Sequence, residues 1–175
     1  MNAKKNFKEK IVKGIKSCFK ELNLDISNSS QSEGHATINS KIDFGSYEIH
    51  IAVSYFVKAD IITVILDFSE QLPADRIKDV YDIMNRVNAM LMDIGHFSFC
   101  PESGRLLMQT GISVAHGTFD MCQLKDSIAR IIAQGDIGYT LISRVALDKM
   151  TPDEVWHHFF YHAQYHDDNS NTQLH

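Results

Sequence analysis

The chain has 175 residues, a formal net charge of -5, and ordinary hydrophobic (44%) and charged (22%) fractions. That length sets one domain with a substantial core as the default. The acidic balance argues against a nucleic-acid binder, which ordinarily carries a net basic footprint. Cys18, Cys100 and Cys122 are odd in number, far apart and form no C-x-x-C, which excludes a disulfide scaffold or a structural zinc site and points to a reducing compartment. The N-terminus is lysine-rich with no following apolar run, so no signal peptide is expected, and no apolar stretch is long enough to span a bilayer. These features predict a cytoplasmic protein with no membrane partner.

From about Lys4 to Leu24 the period is helical, with Phe7, Ile11, Ile15, Cys18 and Leu22 on one stripe. Seven lysines spread around the rest. An amphipathic helix for anionic lipid or nucleic acid is one reading of them; the solvated outer face of a core-facing helix is the other, and the stripe favours it. Asn28 to Gly34 reads as a polar loop. Ala36, Ile38, Ser40, Ile42 and Phe44 then alternate with polar residues, as do Tyr47 to Val57 after Gly45-Ser46. This predicts a two-residue hairpin with Phe44 opposite Tyr47, Ile42 opposite Ile49, Ile38 opposite Val53 and Ala36 opposite Tyr55, all on one face. Ile61 to Phe68 is nearly all apolar, as a central strand covered on both faces would be.

The stretch from Leu72 to Val114 reads as a helix followed by a hairpin. Pro73 and Asp75 suit a helix start. Ile77, Val80, Met84, Val87 and Leu91 form its stripe, and Gly95 stops it. Phe97 and Phe99 alternate with polar residues, Pro101 to Gly104 is a turn, and Leu106 to Val114 alternates again. A four-residue loop sets Phe99 opposite Leu106 and Phe97 opposite Met108.

Thr118 is the expected N-cap of a third helix, with Asp120 in its first turn and Met121, Leu124, Ile128 and Ile131 or Ile132 on its stripe. Gly135 and Gly138 are expected to weaken or end it, and Tyr139 to Met150 is ambiguous. Thr151-Pro152-Asp153-Glu154 has capping-box spacing and opens a last helix bearing Val155, Trp156, Phe159, Phe160 and Ala163. From Asp167 the chain is polar.

The expected fold is α+β: an antiparallel sheet of about five strands packed on helices, in the order α-β-β-β-α-β-β-α plus a C-terminal helix. Residues 1–150 form that domain, and 151–175 are a helix and polar tail belonging to it. This order resembles the YbjN family, in particular through Asn85-Arg86-Val87-Asn88 leading into Gly95-His96-Phe97-Ser98-Phe99 and Gly104-Arg105-Leu106. That family is grouped with the class I type III secretion chaperones as one fold. The likeness covers roughly Phe7 to Ala133, with the segment after Met150 as an extension. It implies the fold, a tendency to dimerise, and a binding or regulatory role without known chemistry; YbjN proteins are described as sensory-transduction regulators.

No residue set compels an enzymatic reading, so no catalytic, cofactor or metal residue is assigned. His158, His162 and His166 recur every four residues beside His157, a spacing that can hold a metal, but no carboxylate completes an H-E-x-x-H pattern. His116, Asp120 and Cys122 invite a nucleophile reading. Cys122, however, is expected near the apolar side of a helix, where a free Cys acts as a small hydrophobe. Asn85 and Asn88 are expected to fix the helix-to-strand junction through backbone hydrogen bonds. Phe56, Ile61, Ile65 and Leu107 point to the sheet face opposite the main alternating set and, exposed together, would make an interaction patch. Three covers would suit it: the last helix with Val155, Phe159 and Phe160, a second copy, or a segment of another protein.

The sequence therefore favours a non-enzymatic domain that binds protein, as a homodimer or through a peptide segment of another protein, with Phe56, Ile61, Ile65, Leu107, Phe159 and Phe160 as partner-binding residues. The alternative is a small-molecule-binding or hydrolytic domain with a pocket beside the His-rich helix. Nucleic-acid binding through the N-terminal lysines ranks last.

Overall fold

Alternating apolar residues give the chain a sheet with one strongly oily face; three helices bring their apolar stripes to it, and a fourth packs on two of those helices. The structure is a computed structural model; it describes residues 2–114 and 118–170, with side chains over 5–114 and 118–161. The elements are α1 (Asn2–Glu21), β1 (Ile26–Ser32), β2 (His35–Asp43), β3 (Glu48–Phe56), β4 (Ile61–Gln71), α2 (Ile77–Met90, entered through a 3-10 turn at Ala74–Arg76), β5 (His96–Cys100), β6 (Arg105–Ser113), α3 (Met121–Ala146) and α4 (Pro152–Ser170). The strands form one antiparallel sheet in the order β1-β2-β3-β4-β6-β5.

The β2–β3 hairpin has the expected register: Ile42 pairs with Ile49, Ile38 with Val53 and Ala36 with Tyr55. Phe44 N–H donates to the Tyr47 carbonyl across the turn, where Gly45 takes φ +81°. The second hairpin also matches, with Phe99 opposite Leu106 and Phe97 opposite Met108. Their shared face is the core: Ile38, Ile49, Ile51, Val53, Ile62, Val64, Leu66, Phe68, Leu106 and Met108 are all at most 1% exposed. Onto it pack α1 through Ile11, Ile15, Cys18 and Phe19, α2 through Val80, Ile83, Met84 and Val87, and α3 through Leu124, Ile128 and Ile131. Met121, placed on the α3 stripe by its spacing, is 38% exposed.

Three features of the sheet and of the third helix differ from the sequence reading. The sheet has six strands, because Ile26–Ser32 is a strand and not a loop. It is a Ser/Asn/Gln edge strand exposed on both faces, so it carries no alternation to read. The third helix runs unbroken for 26 residues through Gly135 and Gly138. There the helix presses on the sheet: a Cβ on Gly135 would lie 2.6 Å from Leu66 Cδ1, and one on Gly138 would run into the Phe97 ring. Close approach, not a helix end, is the reason for both glycines. Finally, Asp120 and not Thr118 is the N-cap of α3, its carboxylate accepting from the N–H groups of Cys122 (2.8 Å) and Gln123 (3.3 Å).

The last helix starts as its sequence demands. Glu154 N–H donates to Thr151 Oγ1 (3.2 Å), and the Glu154 carboxylate accepts from Thr151 N–H (2.7 Å), a complete capping box. Its cover is α2 and α3, with Val155 fully buried and Trp156 and Phe159 packed at the core's margin. It is pinned there by Arg86 to Asp153 (2.7 Å) and by Arg76 donating to the Met150 carbonyl (2.9 Å). No described helix is long and apolar enough to cross a membrane.

Candidate functional site

The sheet's second face follows from the register. Since side chains alternate, the residues between the core-facing ones all point the other way. They form rows across the strands: His35, Phe56, Ile61 and Ser113; Thr37, Ser54, Thr63 and Gly111; Asn39, Ala52, Ile65 and Gln109; Lys41, His50, Asp67, Leu107 and Ser98. The helices pack on the opposite face, α1 on β2 and β3, α2 on β5, and α3 on β4 and β6. Phe56 and Ile61 pair directly and are 41% and 36% exposed. Ile65 and Leu107 sit diagonally on β4 and β6 and are half-buried by their neighbours on the face. None of the four belongs to the core cluster.

Much of the rest of the face is polar, with several internal pairs. Thr37 Oγ1 lies 2.8 Å from Ser54 Oγ and 2.7 Å from His35 Nε2. The His35 ring rests on Phe56 with centroids 5.2 Å apart. Glu48 takes Lys41 Nζ at 2.9 Å and His50 Nε2 at 2.6 Å, and these bonds, Lys41's first, hold its carboxyl below the usual carboxylate range. Arg105 reaches Asp67 Oδ2 at 3.2 Å. Two oxygens on this face, Thr63 Oγ1 and Asp67 Oδ1, are buried with no hydrogen-bond partner among the described residues. They flank Ile65 along β4.

Of the six residues expected to contact a partner, the structure brings Phe56, Ile61, Ile65 and Leu107 to one face. Phe159 and Phe160 stand apart, on the helix side with α4: Phe159 against the core margin and Phe160 37% exposed. The last helix therefore does not lie over the second face.

Asn88 makes the junction: its Nδ2 donates to the Phe97 carbonyl (3.0 Å) and its Oδ1 accepts from Phe97 N–H (2.7 Å), while Asn85 is exposed. Cys122 is exposed, contrary to expectation, because the α3 stripe of Leu124, Ile128 and Ile131 faces away from it. Asp120 is committed to capping, and His116 lies outside the described residues. Cys18 is the buried thiol; burial first, then Glu21, pushes it up to about 11, and its Sγ donates to the Met121 carbonyl at 3.6 Å.

Beside the His-rich helix lies a shallow groove of about 830 Å³ lined by Asp148, Lys149, Met150, Asp153, Glu154, His157, His158 and Tyr161. Two of its carboxylates have structural duties: Asp153 holds Arg86, and Glu154 closes the capping box. The side chains of His162 and His166 lie outside the described residues, and no metal-binding group of three occurs among those described.

Sequence reasoning missed a polar cluster around the buried Tyr139 at one end of the sheet, with Tyr47 and Asp136 half-buried and Glu70 exposed. Tyr139 is stacked on Phe68 at 4.6 Å and donates to Glu70 at 2.6 Å; Tyr47 packs 4.4 Å from Tyr139 and donates to Asp136. Burial first, then the carboxylate bonds, raises both phenols well above their ordinary value. Tyr139 lies just past Gly138, where the sequence pattern is ambiguous, so only the continuity of α3 brings it to the sheet.

No family model matches the chain, and no curated protein matches its sequence. Solved structures similar to it include the ExsC–ExsE complex, at 10% identity over 77% of this chain and 94% of that one, with a TM-score of 0.49. They also include YbjN from E. coli, at 9% identity over 75% of this chain and 87% of that one, with a TM-score of 0.44.

Proposed function

We propose that this chain is a non-enzymatic protein-binding domain whose second sheet face receives a segment of another protein. One observation carries this reading: Phe56, Ile61, Ile65 and Leu107 share a face that none of the described helices covers. An antiparallel sheet tolerates one solvated face when that face is polar throughout. Here apolar side chains cross it diagonally between hydroxyl and charged rows, which suits an amphipathic segment and not bulk water.

The two unpaired oxygens fit the same occupant. A buried acceptor without a donor costs about 1–3 kcal/mol. The partner is therefore a segment with apolar side chains for Phe56–Ile61 and Ile65–Leu107 and an N–H donor near the centre of the face.

A hydrolytic or small-molecule function is less well supported. It would need convergent polar groups free to act. In the groove beside α4 they are spread over a shallow surface, and Asp153 and Glu154 already hold structure.

The test is affinity capture with the chain and with its Phe56→Ser/Ile61→Ser variant, checked for folding by circular dichroism. A protein retained by the chain and lost from the variant is the expected result. A partner held equally by both, or captured by neither, contradicts the reading. Sedimentation velocity on the same pair separates a second copy from a different protein as the occupant.

A further inference from the structure

The charge of this acidic protein is divided unevenly. Seven of its 17 basic residues and only two of its 22 acidic ones lie in α1, which leaves that helix at +5 and the remainder at -10. The apolar stripe of α1 is spent on the core, with Ile11, Ile15, Cys18 and Phe19 each at 0% exposure. Its solvent side carries Lys5, Lys13, Lys16 and Lys20, with Lys10 beside them, all exposed. None of these five forms an ion pair among the described residues, whereas Lys8 donates to the Ser32 carbonyl and Glu21 is bound to Lys125 at 2.8 Å. Glu9 is the one acidic residue within the stripe.

We infer that this stripe is a second docking surface, for a short acidic segment of a protein. The inference does not rest on the second-face reading. Lys5 to Lys20 spans about 22 Å at 1.5 Å per helical residue, the length of about six or seven residues of extended chain. The stripe is one helix wide, and the rest of the molecule is acidic. A short acidic chain ends within the stripe; a long nucleic acid or a broad anionic bilayer must also face the negative remainder. The stripe has lysines and no arginine for bidentate phosphate contact, and no aromatic side chain on which a base would stack. An acidic peptide needs neither.

The test is fluorescence anisotropy of a labelled oligo-glutamate peptide at about 0.15 M salt, where charges beyond about 8 Å are screened. Three proteins are compared: the chain, its Lys13→Gln/Lys16→Gln/Lys20→Gln variant, and Lys58→Gln/Lys78→Gln/Lys149→Gln, which makes the same change in net charge elsewhere. The chain binds, the α1 variant binds about tenfold more weakly, and the control variant binds like the chain. Equal weakening in both variants, or no binding by the chain, overturns the inference. So does tighter binding of oligo-thymidylate of equal length or of phosphatidylserine vesicles. A failure here leaves the Phe56/Ile61 capture result untouched, so the two readings fail separately.

Discussion

Asn88 does at one position what a neighbouring strand would do along a whole edge. Its amide is matched to the N–H and C=O of Phe97 in β5, the last strand of the sheet, so an edge that would otherwise be open there is closed from within. Replacing it by Ala removes both bonds and leaves two backbone groups unpaired next to a ring that is 2% exposed. The expected loss is about 2 kcal/mol in chemical denaturation, whereas Asn85→Ala, at an exposed position, should leave the midpoint unchanged. Tyr47 and Tyr139 make a pH prediction of the same local kind. Burial first and their carboxylate partners second raise both phenols, and Tyr55, buried and bonded to Asp60, is pushed up to about 12. A raised folded-state value favours the protonated form, so the stabilisation is complete below the ordinary tyrosine pKa of about 10 and is lost as pH rises through the folded values. A phenolate absorbance titration should show half of the six tyrosines ionising late, with unfolding on the alkaline limb; a single titration at the free-tyrosine value would refute it.

Among the elements, α3 carries the sharpest contrast between propensity and packing. In an exposed helix, Gly→Ala is stabilising by about 1 kcal/mol. At Gly138 the new methyl would meet the Phe97 ring and stand 3.1 Å from Val87 Cγ1, so Gly138→Ala is expected to destabilise by about 1–3 kcal/mol. A rise in melting temperature for that variant would mean that the helix does not press on the sheet there. The same element shows what the sequence could convey. Both hairpins were legible down to register, because a one-residue slip inverts every face and the alternation of Ile38 to Tyr55 permits only one pairing. The stripes of α1 and α2 were legible for the same kind of reason. The run of α3 past Gly135 was not, since a glycine that admits Leu66 looks in sequence like one that ends a helix. Nor was β1: its seven exposed residues are held by backbone pairing with β2, and no periodicity records that. At the candidate site, alternation was enough to bring Phe56, Ile61, Ile65 and Leu107 to one face. It could not place Phe159 and Phe160, because where α4 docks depends on Arg76 and Arg86, distant in sequence from both.

For the molecule as a whole, one sheet has two unequal sides. The helices bury the centre of one, and the other keeps an apolar diagonal among polar rows with two buried oxygens unpaired. Stability resides in the first side, so substitutions of exposed residues on the second should alter binding more than melting. The Phe56→Ser/Ile61→Ser variant is accordingly expected to melt within a few degrees of the unaltered chain. The division between the sides is most directly measured by hydroxyl-radical footprinting of the free protein over a dilution series. Phe56, Ile61 and Leu107 should be oxidised at rates set by their exposure, with any protection at high concentration vanishing on dilution, while Phe68 and Phe97 stay protected throughout. Protection of Phe56 and Ile61 at every dilution would show that the chain covers this face itself, and would contradict the account.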